Sequence, residues 1–196
     1  MDSVEGFILA GGASSRMGTD KARLLIGDES FVQRIGGRLS EVARKVSVVG
    51  KVDSSDLSFP FVPDVHERWG ALGGVHAALA ACEAEWALVV ACDLPHVTAD
   101  LFNRLLLLAT DFDAIAPVQQ DGRRQPLCAV YRVAACLPQA EALIKTGERK
   151  PVALLQSVTT RWLEFSEVED LTGANRFFDN INTPQDYARV SKTTAK

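Results

Sequence analysis

The sequence has no long apolar run. Its uninterrupted apolar stretches, such as "WALVVAC" at 86–92, are far shorter than the roughly 20 residues a helix needs to cross a bilayer. The opening "MDSVEG" lacks the positive n-region of a secretory signal. A cytoplasmic protein without membrane contact is therefore expected. Basic charge is not in excess either: 21 Lys and Arg stand against 25 Asp and Glu, for a net charge of −4. That balance argues against broad nucleic-acid binding, which needs a basic face. The four cysteines, Cys82, Cys92, Cys128 and Cys136, stand singly inside apolar segments, with no Cys-x-x-Cys pair. Neither a zinc site nor a disulfide framework follows, and reduced core residues are expected. His66, His76 and His96 lack ligand spacing, and "HERW" is not His-Glu-x-x-His, so they read as surface or satisfied polar residues. No segment repeats.

What is present is an alternation. A chain of 196 residues that is 47% hydrophobic can bury roughly 70% of its unfolded surface in one core, so a single domain is the default. Short β-rich runs alternate with helical patterns, the signature of βα units around a largely parallel sheet. Strands are expected at "VEGFILA", "KVSVVGK", "WALVVACDLP", "DAIAPV" and "PLCAVYR". "SFVQRIGGRLSEVARK" carries Phe31, Ile35, Leu39 and Val42 at helical spacing. "LGGVHAALAACEA", "VAACLPQAEALIK" and "PVALLQSV" read as helices, "TADLFNRLLLLATD" starts on Thr98 as N-cap, and a last helix starts at Pro184. In such sheets the ligand crevice lies beyond the carboxyl ends of the strands. That directs attention to residues 9–21 and to Asp93.

The loop "FILAGGASSRMGTDKARLL" places Gly11 and Gly12 just past a strand, where the absence of a Cβ lets backbone N–H groups approach an anion. Arg16 and Lys21 on the same loop suit a polyphosphate, one as a planar fork of donors and the other as a mobile point charge. A glycine-rich turn with solvated charges is the plain alternative. Familiar phosphate loops do not fit. "GASSRMGT" lacks the Gly-Lys-Ser/Thr ending of a P-loop, the spacing is not Gly-x-Gly-x-x-Gly, and Arg16 stands where a nucleophile elbow needs its second glycine.

"LAGGASSRMGTDK" resembles the signature loop Leu-Ala-Gly-Gly-x-Ser-x-Arg-Met-Gly-x-Asp-Lys of the MobA-like nucleotidyltransferases. "PDVHERWGALGG" at 63–74, "ACDLP" at 91–95, "RRQPLCAVY" at 123–131 and "NINTPQDY" at 180–187 resemble that family's later motifs, in the same order and over nearly the whole chain. The resemblance implies a Rossmann-like three-layer α/β sandwich of nucleotide-diphospho-sugar transferase type, one domain over 1–190, with a polar tail at 191–196. It implies transfer of GMP from GTP to the terminal phosphate of molybdopterin or of its molybdenum-loaded form, with Mg²⁺ and release of pyrophosphate. Transient contacts with molybdenum-insertion proteins and apo-molybdoenzymes are implied as well.

Carried over position by position, Leu9, Ala10, Gly11 and Gly12 would hold the nucleotide by main-chain contacts. Arg16 and Lys21 would lie on the phosphates, Asp64 on the nucleoside, and Asp93 on the metal. A carboxylate at a strand's end is a hard ligand suited to that ion, although Asp93 taken alone could equally cap the helix after "LPHVT". Gly50 falls where the family often has a polar nucleotide contact, so recognition there would be by backbone. Ala71 replaces the proline usual in "GPLGG", which bears on loop rigidity. Arg123, Arg124 and Gln125 would receive the anionic acceptor, with Asn180 and Asn182 offering amides. "QQDGRRQ" reads equally as an exposed turn, and the asparagines also read as a simple helix entry. Three rivals stand beside this reading: a cytidylyltransferase acting on the same cofactor, a transferase making an activated sugar or alcohol, and a non-catalytic nucleotide- or cofactor-binding module. Gly11-Gly12 favours guanine over cytosine, because the cytidylyl relatives read Leu-Ala-Ala-Gly there.

Overall fold

Apolar residues alternate along the strands, and the alternation sorts them into two cores on either side of one sheet. The computed structural model describes residues 3–10, 24–50, 58–181, 183 and 185–187. Strand β1 (Val4–Leu9) pairs in parallel with β4 (Val46–Val49) on one side and with β6 (Trp86–Ala91) on the other. The two-residue β5 (Phe61–Val62) extends the β4 edge, again in parallel. Beyond β6 come β8 (Cys128–Arg132), β7 (Ala114–Pro117) and β9 (Thr160–Leu163), so the sheet runs β5-β4-β1-β6-β8-β7-β9. Only β8 is antiparallel to its neighbours. A separate two-stranded ladder, β2 (Leu25–Ile26) with β3 (Glu29–Ser30), leads into the first helix.

Helices α1 (Phe31–Ser40) and α3 (Ala99–Leu106) pack on one face with Ile8, Val48, Leu88, Val90 and Val130. Helices α2 (Ala71–Ala81), α4 (Val133–Lys145) and α5 (Pro151–Ser157) cover the other, against Phe7, Leu9, Val89, Ala129 and Tyr131. This is the expected three-layer, mostly parallel arrangement. Residues 8 and 9, or 88 and 89, enter opposite cores because side chains on a strand have period two.

Local chemistry explains the element ends. Ser30 caps α1 as a reciprocal box, its hydroxyl accepting from the Gln33 N–H at 3.2 Å while the Gln33 side chain accepts from the Ser30 N–H at 2.9 Å. The helix stops at Ser40, short of the Val42 and Lys45 that its apolar spacing predicts. The Arg44 N–H must donate to the Val4 carbonyl and the Gly6 N–H to the Lys45 carbonyl, which turns the chain into β4. Thr98 caps α3 as expected, accepting from the Leu101 N–H. Sequence pattern alone does not show β2, β3, β5 or β9. Three of these are two residues long, and "TRWL" in β9 alternates too weakly to stand out beside α5.

The antiparallel strand follows from the turn before it. In "QQDGRRQ" the Gln119 N–H donates to the Arg123 carbonyl at 2.8 Å and the Gly122 N–H to the Gln119 carbonyl at 2.9 Å. Gly122, at φ +81°, takes the left-handed position that a tight reversal needs. The turn sends β8 back alongside β7, so its first residues arrive at the same edge where the parallel strands end.

Candidate active site

The chain runs outward from β1 to β4 and β5 on one side, and to β6 on the other. The carboxyl ends of β1 and β6 therefore flank the switch point where ligands sit in open α/β sheets. The edge there is tightly tied. The Ala10 N–H donates to the Val49 carbonyl at 2.9 Å, the Cys92 N–H to the Leu9 carbonyl at 3.1 Å, and the Gly50 N–H to the Val62 carbonyl at 3.2 Å. With these groups engaged inside the sheet, Leu9 and Ala10 shape the rim without supplying an anion with a donor. Gly50, at φ +114°, offers no side chain to this rim.

Asp64 lies two residues past β5 and Asp93 two residues past β6, both half-buried on this rim. Thr98 caps α3, so Asp93 is not that helix's cap. Its carbonyl accepts from the Ile181 N–H at 3.1 Å, which brings the segment around Asn180 over the end of β6. Among the described residues no group of three or more His, Cys, Asp or Glu forms a metal cage. Mg²⁺ does not need such a cage, since it keeps several waters and usually takes one or two carboxylates together with substrate phosphates, a role the Asp93 carboxylate suits. Gly11, Gly12, Arg16, Lys21 and Asn182 lie outside the described residues.

The loop from Pro63 to Gly70 is held from behind, which answers the missing proline at Ala71. Trp69 Nε1 donates to the Glu148 carbonyl at 2.8 Å, and the Arg149 guanidinium sits 4.9 Å from the centre of the Trp69 ring. A Cβ on Gly73 would stand 2.8 Å from Trp69 Cβ, so this close approach of helix and loop needs glycine. The same loop brings two histidines together. The His66 and His76 rings lie edge to face, with centroids 4.8 Å apart. His76 is buried, and among the described residues its Nδ1 finds no hydrogen-bond partner. Burial, then His66, holds its pKa below the ordinary value, with Glu141 opposing. The expectation of a satisfied or surface histidine is thus corrected at His76. The cysteine reading holds for three of the four: all are free thiols, but Cys82 is half-buried while Cys92, Cys128 and Cys136 are core residues, and burial pushes Cys128 and Cys136 up to about 12 and Cys82 to about 11.

Beside the switch point, beyond β7 and β9, opens a cavity of about 870 Å³. Gln119, Arg123, Phe165, Arg176, Phe178 and Asn180 are among its lining residues. The three candidate acceptor residues of the turn behave differently from one another. Arg123 lines the cavity, but its guanidinium donates to Asp121 at 2.7 Å within the turn. Arg124 lies 4.3 Å over the ring of Trp162, whose packing belongs to the opposite core from that of Leu163 and Phe165. Gln125 is buried, its N–H donating to the Pro117 carbonyl at 2.9 Å. Asn180 is exposed on the cavity wall. The final helix is entered through Thr183, whose N–H and hydroxyl both donate to Asp186, so Asn180 is not its cap. The sequence reading missed Arg176, Phe165 and Phe178. "TGANRFFDN" carries no periodicity, and only the fold brings it to the strand ends.

The family model for the MobA-like NTP transferase domain matches residues 6–162. The chain belongs to that family. It is 33% identical to the probable molybdenum cofactor guanylyltransferase of Pelotomaculum thermopropionicum, over 94% of this chain and 90% of that one. With the molybdenum cofactor guanylyltransferase of Vibrio atlanticus it shares 32% identity, over 91% of each. The fold matches a solved structure of molybdopterin-guanine dinucleotide biosynthesis protein A from Archaeoglobus fulgidus, with TM-score 0.82 and 24% identity over 96% and 97% of the two chains. It also matches 2-C-methyl-D-erythritol 4-phosphate cytidylyltransferase from Thermus thermophilus, with TM-score 0.71 and 18% identity over 97% and 98%. At 24% and 18% identity both structural likenesses are of fold alone, and that fold occurs in a cytidylyltransferase as well.

Proposed function

We propose that this MobA-like NTP transferase moves GMP from GTP to the terminal phosphate of molybdopterin, or of the molybdenum-loaded cofactor, and releases pyrophosphate. The observation that carries the reading is the nearly full-length similarity to molybdenum cofactor guanylyltransferases. The site geometry supports it: Asp93 sits at the switch point, and its carbonyl holds Ile181, a wall residue of a cavity that carries Arg123, Arg176, Phe165 and Phe178 together with Asp121, Asp179 and Asp186.

Nucleotidyl transfer needs positioning and charge neutralisation more than a protein nucleophile. GTP would lie across the carboxyl ends of β1, β4 and β6, with Gly50 and Asp64 toward the nucleoside. Gly11, Gly12, Arg16 and Lys21 would receive its phosphates. Asp93 would hold Mg²⁺, which when bound neutralises charge on the phosphates. The acceptor would occupy the cavity with its phosphate turned toward Asp93 and Asn180. An acceptor phosphate oxygen attacks the α-phosphorus in line, the α–β bridge bond breaks, and pyrophosphate leaves with that electron pair.

The test is pyrophosphate release by the purified protein with Mg²⁺ and molybdopterin, comparing GTP, CTP, ATP and UTP. Acceptor-dependent release that strongly prefers GTP is expected. Preference for CTP would move the protein to cytidylyl transfer, and nucleotide binding without turnover would make it a binding module. In the same assay Asp93→Asn should lower turnover by about 10³-fold or more with an unchanged circular dichroism spectrum. An active Asp93→Asn enzyme with unaltered Mg²⁺ dependence would sink the metal role.

A further inference from the structure

Two arginines line the cavity together with the carboxylates of Asp121, Asp179 and Asp186, and the nearest partner of each arginine differs in charge. The Arg123 Nε donates to a carboxylate oxygen of Asp121 at 2.7 Å, so its charge is met inside its own turn. Arg176 instead has Nη2 2.9 Å from Nε2 of His96, on the loop just after β6. The nearest carboxylate oxygen of Asp179 is 4.0 Å from its Nε and half-exposed. A guanidinium has donors only, so His96 Nε2 must be the acceptor and the ring proton lies on Nδ1. His96 stays neutral in that role: burial first, then Arg176 and Arg34, pushes its pKa down to about 4. Arg34 reinforces the loop from α1 by donating Nε to the Pro95 carbonyl at 3.1 Å.

The contrast carries a function. A carboxylate in direct contact orients an arginine but largely cancels its field, whereas a neutral imidazole orients it without doing so, and the longer, solvent-exposed contact to Asp179 opposes the charge of Arg176 less than Asp121 opposes that of Arg123. We propose that Arg176, oriented by His96, grips the phosphate of the acceptor, and that His96 acts as a positioning residue because it accepts a hydrogen bond without bringing a negative charge. The inference rests on the reading of the cavity as the acceptor's site and goes beyond it by moving phosphate recognition from Arg123 and Arg124 to Arg176. Phe165 and Phe178 on the same walls offer apolar surface to a flat ring system carrying that phosphate.

Binding of molybdopterin and of its dephosphorylated form, together with steady-state kinetics, tests the proposal. Arg176→Ala should weaken molybdopterin about 10- to 100-fold, leave the dephosphorylated form bound as in the wild type, and leave the KM for GTP unchanged. His96→Gln, which restores a neutral acceptor oxygen, should stay within about threefold of wild-type acceptor KM, while His96→Asp should raise it about tenfold. A merely structural His96 makes the opposite prediction, since Asp would hold Arg176 at least as firmly. Equal losses for the phosphorylated and dephosphorylated forms, or a His96→Asp variant as good as His96→Gln, would overturn the inference while acceptor-dependent turnover by the wild type left the proposed function standing. A wild-type protein that binds no molybdopterin would overturn both.

Discussion

At Glu5 a carboxylate is buried within the first strand, at the end of the sheet away from the site. Arg44 donates to it from Nη2 at 2.7 Å and from Nε at 3.1 Å, and the Glu83 N–H adds a third bond at 3.1 Å. Burial alone would raise its pKa, but these bonds and the charge of Arg44 outweigh burial and hold it below the ordinary 4.5. The folded value being the lower one, the contribution is complete above pH 4.5 and is lost as pH falls through the folded value. Glu5→Gln should therefore cost about 2 kcal/mol at pH 7 and flatten the acid limb of stability against pH. Urea midpoints measured from pH 7 to pH 3 check this; parallel curves for variant and wild type would show that the buried carboxylate contributes nothing there. Here a buried charge is met by an opposite one because the task is structural. At Arg176 the nearest partner is a neutral histidine, with the Asp179 carboxylate farther off at 4.0 Å, the arrangement proposed for holding an anion.

Helix α1 holds two adjacent glycines whose surroundings are opposite. A Cβ on Gly36 would fall 2.2 Å from ring atoms of Phe59, whereas one on Gly37 would meet nothing within 4 Å. Gly37→Ala gains helix propensity alone and should stabilise the protein by about 0.5–1 kcal/mol. Gly36→Ala gains the same propensity but drives the Phe59 ring from its contact with the core, for a net loss of about 1–2 kcal/mol. Thermal or urea unfolding of the pair decides it, and stabilisation by both substitutions would refute the close packing of Phe59. A helical pattern shows two tolerated glycines at these positions and cannot tell them apart, because the distinguishing atom lies more than 20 residues away. The turn at "QQDGRRQ" is another such case. Its composition announces a reversal, yet only strand pairing shows that the reversal turns a parallel sheet mixed at β8.

In the molecule as a whole, the candidate nucleotide site sits on the carboxyl edge of the central sheet, so a bound nucleotide should stabilise the entire fold by mass action. GTP with Mg²⁺ at 100 times its dissociation constant should add about 2.7 kcal/mol to the apparent stability. For a chain of this size that amounts to roughly 5–10 °C in Tm. CTP at the same concentration should give a smaller shift, and Asp93→Asn should remove the Mg²⁺-dependent part. No shift with any nucleotide would count against the crevice between β1 and β6 as a nucleotide site. Among the described residues no helix is long and apolar enough to cross a membrane, in keeping with the short apolar runs.

The amino-acid sequence by itself determined the alternation of strands and helices, the cap at Thr98, the free thiols, and the family, through five motifs in order. Each of these rests on periodicity or on residues close together in the chain. Tertiary structure alone decided that β8 runs antiparallel, that His66 meets His76, that Arg124 turns to Trp162, and that Arg176 reaches His96 across 80 positions of the chain. Such pairings are set by how the sheet twists and how its loops return to one edge. Local pattern carries secondary structure, whereas the partner that decides what a charged side chain can do is supplied by distant segments brought together by burial of the two cores.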